Sequence, residues 1–242
     1  MKIKLAWFLL IAVVFLGCKT QTKLLSDEVL YQQSIQNSIY PTANKVSEKL
    51  VPITHENRNL VWKNIGGEDY VLVVTWKQNV SFYKPYLDSA FYDTGKYPIW
   101  VTTVPELKHR ILAENPKNVN RRLVQLLGLP PNSVYSYFVE FWVKPQDLFR
   151  PCPDKEVTDQ KCDICFPKDA DAAHVTWING NRINRYYQCD LYNQYPWTQL
   201  GYTYDWNPEN KTHIGLSEFV IGQNKKIVLK GIFKTEEYLT EK

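Results

Sequence analysis

Residues 70–76 (YVLVVTW) are almost continuously apolar and rich in valine. A short unbroken run of β-branched and aromatic residues forms a strand inside a sheet, so the chain must build a sheet around this segment. Gly66-Gly67 immediately before it supplies a turn. A second strand is predicted over 134–143, where Tyr135, Tyr137, Val139, Phe141 and Val143 make one wholly apolar face. The opposite face is mixed, with Glu140 between Phe138 and Trp142. Four more strands are expected near 97–101, 198–206, 213–221 and 226–233.

Helical signals fall between these strands. Ser26 can cap a helix whose first turn holds Asp27 and Glu28, with Tyr31, Ile35 and Ile39 on one face and Pro41 as the stop. Thr103-x-x-Glu106 reads as a capping box opening a short helix with Leu107 and Ile111 on its face. The next helix is predicted with Asn115 as cap and Pro116 in its first turn. Its stripe is Val119, Leu123, Leu126 and Leu127, and Gly128 with Pro130-Pro131 closes it. A weaker helix with Gly180 inside it spans 174–183. Strands and helices alternate without a regular βαβ rhythm. The expected fold is therefore α+β, one domain over 26–242 with a mixed or antiparallel sheet and a few short helices.

The first residues read as an address. Lys2 and Lys4 precede an uncharged, largely apolar run of thirteen residues, 5–17, too short for the about twenty helical residues that cross a hydrocarbon core. It ends in Phe15-Leu16-Gly17-Cys18. This string resembles the lipobox of bacterial lipoproteins, with phenylalanine where leucine is usual. The resemblance implies a signal peptide over 1–17, lipid on Cys18, a tether over 18–25 and a body facing an extracytoplasmic space of the bacterial envelope. Several acyl chains anchor stably where a single chain does not.

Charge and cysteines then bound the partners. The formal net charge is +4, about +2 once the two leader lysines are removed, and no basic stripe appears. A nucleic-acid partner gains no electrostatic support. Cys152, Cys162, Cys165 and Cys189 are an even set. In an exported chain they read as disulfides, with Cys152–Cys162 and Cys165–Cys189 as the expected pairs. Cys162-x-x-Cys165 with His174 nearby also has zinc-knuckle spacing, but Cys152 and Cys189 each stand alone where zinc ligands come in close pairs. A redox Cys-x-x-Cys lacks its strand-then-helix context. No metal or cofactor is expected.

Four strings, LLGLPP at 126–131, FVEFWVKPQDLFRPCPD at 138–154, YPWTQLGYTYDW at 195–206 and GLSEFVI at 215–221, resemble an uncharacterised family of bacterial proteins. They span roughly the C-terminal half, and the resemblance implies an evolutionary unit without an activity.

The sequence contains no phosphate loop, GxSxG elbow, HExxH, EF-hand loop or dinucleotide fingerprint. Three constellations remain. Glu140 with Arg150 and Asp154 places a carboxyl between aromatics, suited either to general acid work or to a salt bridge. Asp205, His213 and Glu218 fall on consecutive predicted strands, and His174 is a further base. Ser217-Glu218 opening a late strand resembles the catalytic-glutamate strand of ADP-ribosyltransferase folds, whose first-strand arginine or histidine has no counterpart here. The third set is aromatic: Trp177, Tyr186, Tyr187, Tyr192, Tyr195, Trp197, Tyr202, Tyr204 and Trp206, interleaved with Asn179, Asn181, Asn184 and Asn193. Rings with polar tips stack on sugars or anchor a protein partner, while Tyr202, Tyr204 and Trp206 also suit a core. The expected function is a non-catalytic, membrane-anchored protein binding a glycan, peptide or protein through Trp177, Tyr187, Tyr192 and Trp197. The alternative is an envelope hydrolase or transferase using Glu140 or Glu218 with Arg150 and His174 or His213.

Overall fold

The computed structural model describes residues 25–89, 91–186 and 194–240. Cys18, Tyr187, Cys189, Tyr192 and Asn193 lie outside them, as do the whole expected leader and most of the tether.

The valine-rich run is the middle of β2 (Glu68–Lys77), where Tyr70 through Val74 are each at most 3% exposed. β1 (Trp62–Ile65) pairs back onto it with Ile65 opposite Glu68. The two-residue turn needs left-handed backbone at both positions, and Gly66 and Gly67 supply it with φ of 62° and 87°. Along its other edge β2 pairs with β5 (Tyr137–Val143), and β10 (Lys226–Lys234) and β3 (Tyr92–Asp93) follow outward. On the β1 side lie β4 (Ile99–Thr103), β9 (Phe219–Ile221) and β6 (Leu148–Phe149). The order is β3-β10-β5-β2-β4-β9-β6, with β1 on β2, and every pairing is antiparallel. A separate hairpin joins β7 (Tyr202–Tyr204) to β8 (Ile214–Ser217). The strand expected over 213–221 thus breaks at Glu218: β8 pairs with β7, while β9 crosses into the main sheet.

Among the described residues five α-helices accompany the sheet: α1 (Asp27–Ser38), α2 (Val104–Glu114), α3 (Val119–Leu126), α4 (Ala172–Tyr186) and α5 (Thr235–Thr240). Their apolar residues Ile35, Leu107, Ile111, Leu123, Leu126, Ile178 and Tyr238 pack on the even-numbered side chains of β2. The other face of the sheet is covered by connecting segments through Ile53, Leu60, Val80, Tyr83 and Val157. Both faces are therefore buried, which is why β5 is buried at Glu140 as well as along its apolar face. Ser26 caps α1 by accepting the Val29 N–H at 3.3 Å, as its sequence predicts. The α2–α3 boundary differs from expectation. Asn115 ends α2 in the left-handed region at φ 41°, and Asn118 caps α3 by accepting the Arg121 N–H at 2.9 Å. Asparagine suits either role, since its short amide tolerates left-handed backbone and also accepts helix N–H groups.

Cys152 and Cys162 form the expected disulfide, their Cα atoms 6.5 Å apart. Cys165 is exposed, and its expected bridge involves Cys189, which lies outside the described residues. The stapled loop holds residues 50–53: Leu50 N–H donates to Gln160 at 2.9 Å and Ile53 N–H to Val157 at 2.7 Å.

A β-bulge settles the charge on β5. The β10 register shifts between Leu229 and Gly231, leaving Lys230 as the extra residue. Its ammonium reaches back to Glu140, which is 1% exposed. Lys230→Met is expected to cost about 2 kcal/mol at pH 7 in urea unfolding. That lies under the usual price of a broken buried pair because Lys230 is itself 40% exposed. Adding Glu140→Leu should restore most of the loss.

Candidate functional site

The charged residues singled out by sequence do not converge. Glu140 pairs with Lys230 instead of Arg150. Arg150 is fully buried, and its Nη2 donates to the carbonyls of Val51 at 3.1 Å and Asp159 at 2.5 Å. Asp154 accepts the Glu156 N–H at 3.1 Å in the stapled loop. His174 Nε2 bonds the Cys152 carbonyl at 2.7 Å, and burial holds its pKa below the usual histidine value. This histidine pins α4 to the staple, and with Cys162 in a disulfide the zinc-knuckle spacing is not available to a metal. Among the described residues no group of three His, Cys, Asp or Glu is arranged to hold one.

The second constellation also disperses. Asp205, fully buried, accepts two hydrogen bonds from Arg122 at 2.8 and 2.7 Å and one from Asn210 at 2.9 Å. Arg122 is shared with Glu114, which also holds Arg110. His213 Nδ1 meets the Asp205 carbonyl oxygen at 2.9 Å, and its ring stacks on Tyr204 with centroids 4.9 Å apart. These contacts brace α2 and α3 against the β7–β8 hairpin. Glu218 lies apart from them, at the break between β8 and β9.

The rings do gather. β2 and β4 pair only at Val73 with Thr103 and Val74 with Thr102. Past Val74 the strands part, and a pocket of about 300 Å³ opens in the gap. Trp76, Trp100, Tyr135, Tyr195, Trp197 and Tyr204 line it, with Glu218 as its carboxylate. Trp76 stacks on Tyr135 at 5.2 Å, and Trp100 meets Trp197 edge-on at 6.3 Å. Trp197 is anchored by its Nε1 donating to the Pro151 carbonyl at 2.9 Å. Burial, reinforced by Tyr195, pushes the Tyr135 hydroxyl up to about 12, so it is a neutral hydrogen-bonding group at physiological pH. Trp177 stands behind the wall, against Trp100 and Trp197 at 6.0 and 6.2 Å. Trp206, expected as core, is 1% exposed.

A second, larger cleft of about 680 Å³ lies between residues 49–60 and the first two turns of α2. It shares no lining residue with the ring pocket. Glu106 sits in its wall, which explains why the expected capping box does not form. The carboxylate turns to Ser217, accepting its N–H at 2.9 Å and Oγ–H at 3.0 Å, and to the Thr102 hydroxyl at 3.3 Å. Burial pushes the Glu106 carboxyl up to about 7, against these hydrogen bonds and the nearby Arg150 charge. Thr103 makes no capping bond, and its buried hydroxyl has no partner among the described residues. The Thr-x-x-Glu signal that marks these two residues was visible in the sequence, but it carries the same letters whether the glutamate caps or turns away.

No helix among the described residues is long and apolar enough to cross a membrane. Compared with protein families, with curated proteins and with solved structures, the chain matches none.

Proposed function

We propose that this chain is an exported bacterial lipoprotein, anchored by lipid on Cys18, whose body binds an extended peptide in the ring-walled pocket without catalysis. The observation that carries the binding reading is the parting of β2 and β4 beyond Val74. There β2 pairs only with β5, so its main-chain edge over residues 75–77, on the side of the pocket, has no strand partner among the described residues. Edges of this kind pair with an extended chain, and the surrounding rings receive its side chains. A glycan would use the rings but not the edge, which favours a peptide.

Screening a tetrapeptide library centred on Tyr, Trp, Phe or Leu by tryptophan fluorescence is expected to yield saturable ligands. Trp100→Ala should weaken the best of them about tenfold, the scale of an interface aromatic. A library without ligands at roughly millimolar concentration would count against the reading. For the anchor, Cys18→Ala should abolish acyl labelling and move the protein from membrane to soluble fractions. Unchanged fractionation would remove the lipid from the account. The second reading, an envelope hydrolase or transferase, draws support from Glu106, whose carboxyl exchanges protons near neutrality at a cleft. Glu140 offers no such support, bound as it is to Lys230.

A further inference from the structure

We propose that the cleft between residues 49–60 and α2 is a second binding site, for a neutral carbohydrate, with Glu106 and Thr103 as its hydrogen-bonding wall. The proposal is independent of the peptide pocket, with which the cleft shares no residue.

Two observations single out this cleft. Thr103 lines it and is 1% exposed, and its buried hydroxyl has no hydrogen-bond partner among the described residues, although buried hydroxyls are rarely left unbonded. Glu106 lines it too, and its two oxygens are unequally used. Oε1 accepts two hydrogen bonds from Ser217, whereas Oε2 accepts only the long 3.3 Å bond from Thr102. The eleven-residue α2 begins at this wall, with Pro105 and Glu106 among the lining residues, and has no side-chain cap for its first N–H groups.

Charge decides the ligand class. Glu106 and Glu56 oppose an anion, while Lys49 and the positive end of α2 oppose a cation. Arg110 also lines the cleft but is bound to Glu114 and lies 3.7 Å from Asp205. Behind Glu106 stands Arg150, spent on backbone carbonyls through Nη2. A hydroxyl group both donates and accepts, so it satisfies Glu106 in either protonation state and also Thr103. Asn57, Asn59 and Gln160 add neutral amides, and Leu50, Pro52 and Leu60 give an apolar strip suited to the C–H face of a sugar ring.

The test is an amide-resolved NMR titration of the protein with three tetrasaccharides: β-1,4-linked glucose, β-1,4-linked N-acetylglucosamine and α-1,4-linked glucose. Citrate and spermidine serve as anionic and cationic probes. At least one sugar should shift signals of residues 49–60 and 103–110 saturably. Thr103→Val and Glu106→Leu should each weaken it about tenfold, the scale of a buried hydrogen bond lost. Glu106→Gln should retain binding within about threefold, since an amide also donates and accepts. Trp100→Ala should leave the sugar affinity unchanged, which separates this site from the peptide pocket. Thr103→Val is nearly isosteric, so a folded variant is available even if Glu106→Leu unfolds. Failure of all three sugars to shift these signals at roughly 10 mM overturns the proposal, as does saturable binding of citrate or spermidine there instead.

Discussion

Asp205→Ala is expected to lower the stability of this protein by about 3–5 kcal/mol at pH 7, the usual cost of removing one member of a buried ion pair. Asp205 is fully buried, and the Arg122 side chain is 7% exposed. Losing the carboxylate strips Arg122 of two hydrogen bonds at 2.8 and 2.7 Å and Asn210 of one at 2.9 Å. Glu114 still holds Arg122 from the other side, but it is 29% exposed and divided with Arg110. The guanidinium does not shed its proton inside a protein, and Glu114 still favours its charged form once Asp205 is gone. The charge therefore stays buried and under-compensated. Urea unfolding of Asp205→Ala, Arg122→Met and the Asp205→Ala/Arg122→Met double variant separates the possibilities. Each single change should be costly, and the double variant should recover most of the loss because no lone charge remains. Strictly additive losses would show that the pair is not a unit.

The same residues show what the sequence could and could not disclose. Local chemistry was legible: the Gly66-Gly67 turn, the β2 core run, the Ser26 cap and the Cys152–Cys162 staple all follow from residue type and spacing within a few positions. The α+β class followed as well, because strand and helix periods differ. Partner choice across long separations was not legible. Glu140 could have met any cation, and it met Lys230 only because a bulge 90 residues away turns that side chain inward. Asp205 went to Arg122 across 83 residues, and not to the histidine eight positions on, whose ring takes the Asp205 carbonyl instead. The pocket arises from something sequence does not encode locally, the point at which two strands stop pairing. Its Trp76 and Trp100 therefore read in the sequence as strand residues only, while Trp177, expected at the ligand, stands behind the pocket wall. Glu106 is the sharpest case, since a capping-box glutamate and a cleft glutamate look alike until Ser217 is brought to it from 111 residues away.

That glutamate should leave its own mark on stability. The Glu106 carboxyl has an ordinary value of 4.5 when exposed, as in the unfolded chain, and is pushed up to about 7 in the fold, chiefly by burial. Below about pH 4.5 both states hold the proton, and burial carries no charge penalty. Between about 4.5 and 7 the folded state keeps a proton that the unfolded chain releases, so stability falls as pH rises. Above about 7 both states are ionised and the whole penalty is present. At about 1.4 kcal/mol per unit the shift corresponds to roughly 3 kcal/mol, and solvent in the cleft reduces it to about 2. Glu106→Gln keeps an acceptor for the Ser217 N–H and Oγ–H while removing the titration. The variant should match the parent near pH 4.5 and exceed its stability by about 2 kcal/mol at pH 8. Taking the difference between the two proteins cancels other titrating groups, His174 among them. A difference that does not change between pH 4.5 and 8 would mean that Glu106 titrates like an exposed carboxylate. The acid–base reading of the cleft would then lose its basis, whereas the carbohydrate proposal, which needs only a group that donates or accepts, would still stand on Thr103 and the geometry of the wall.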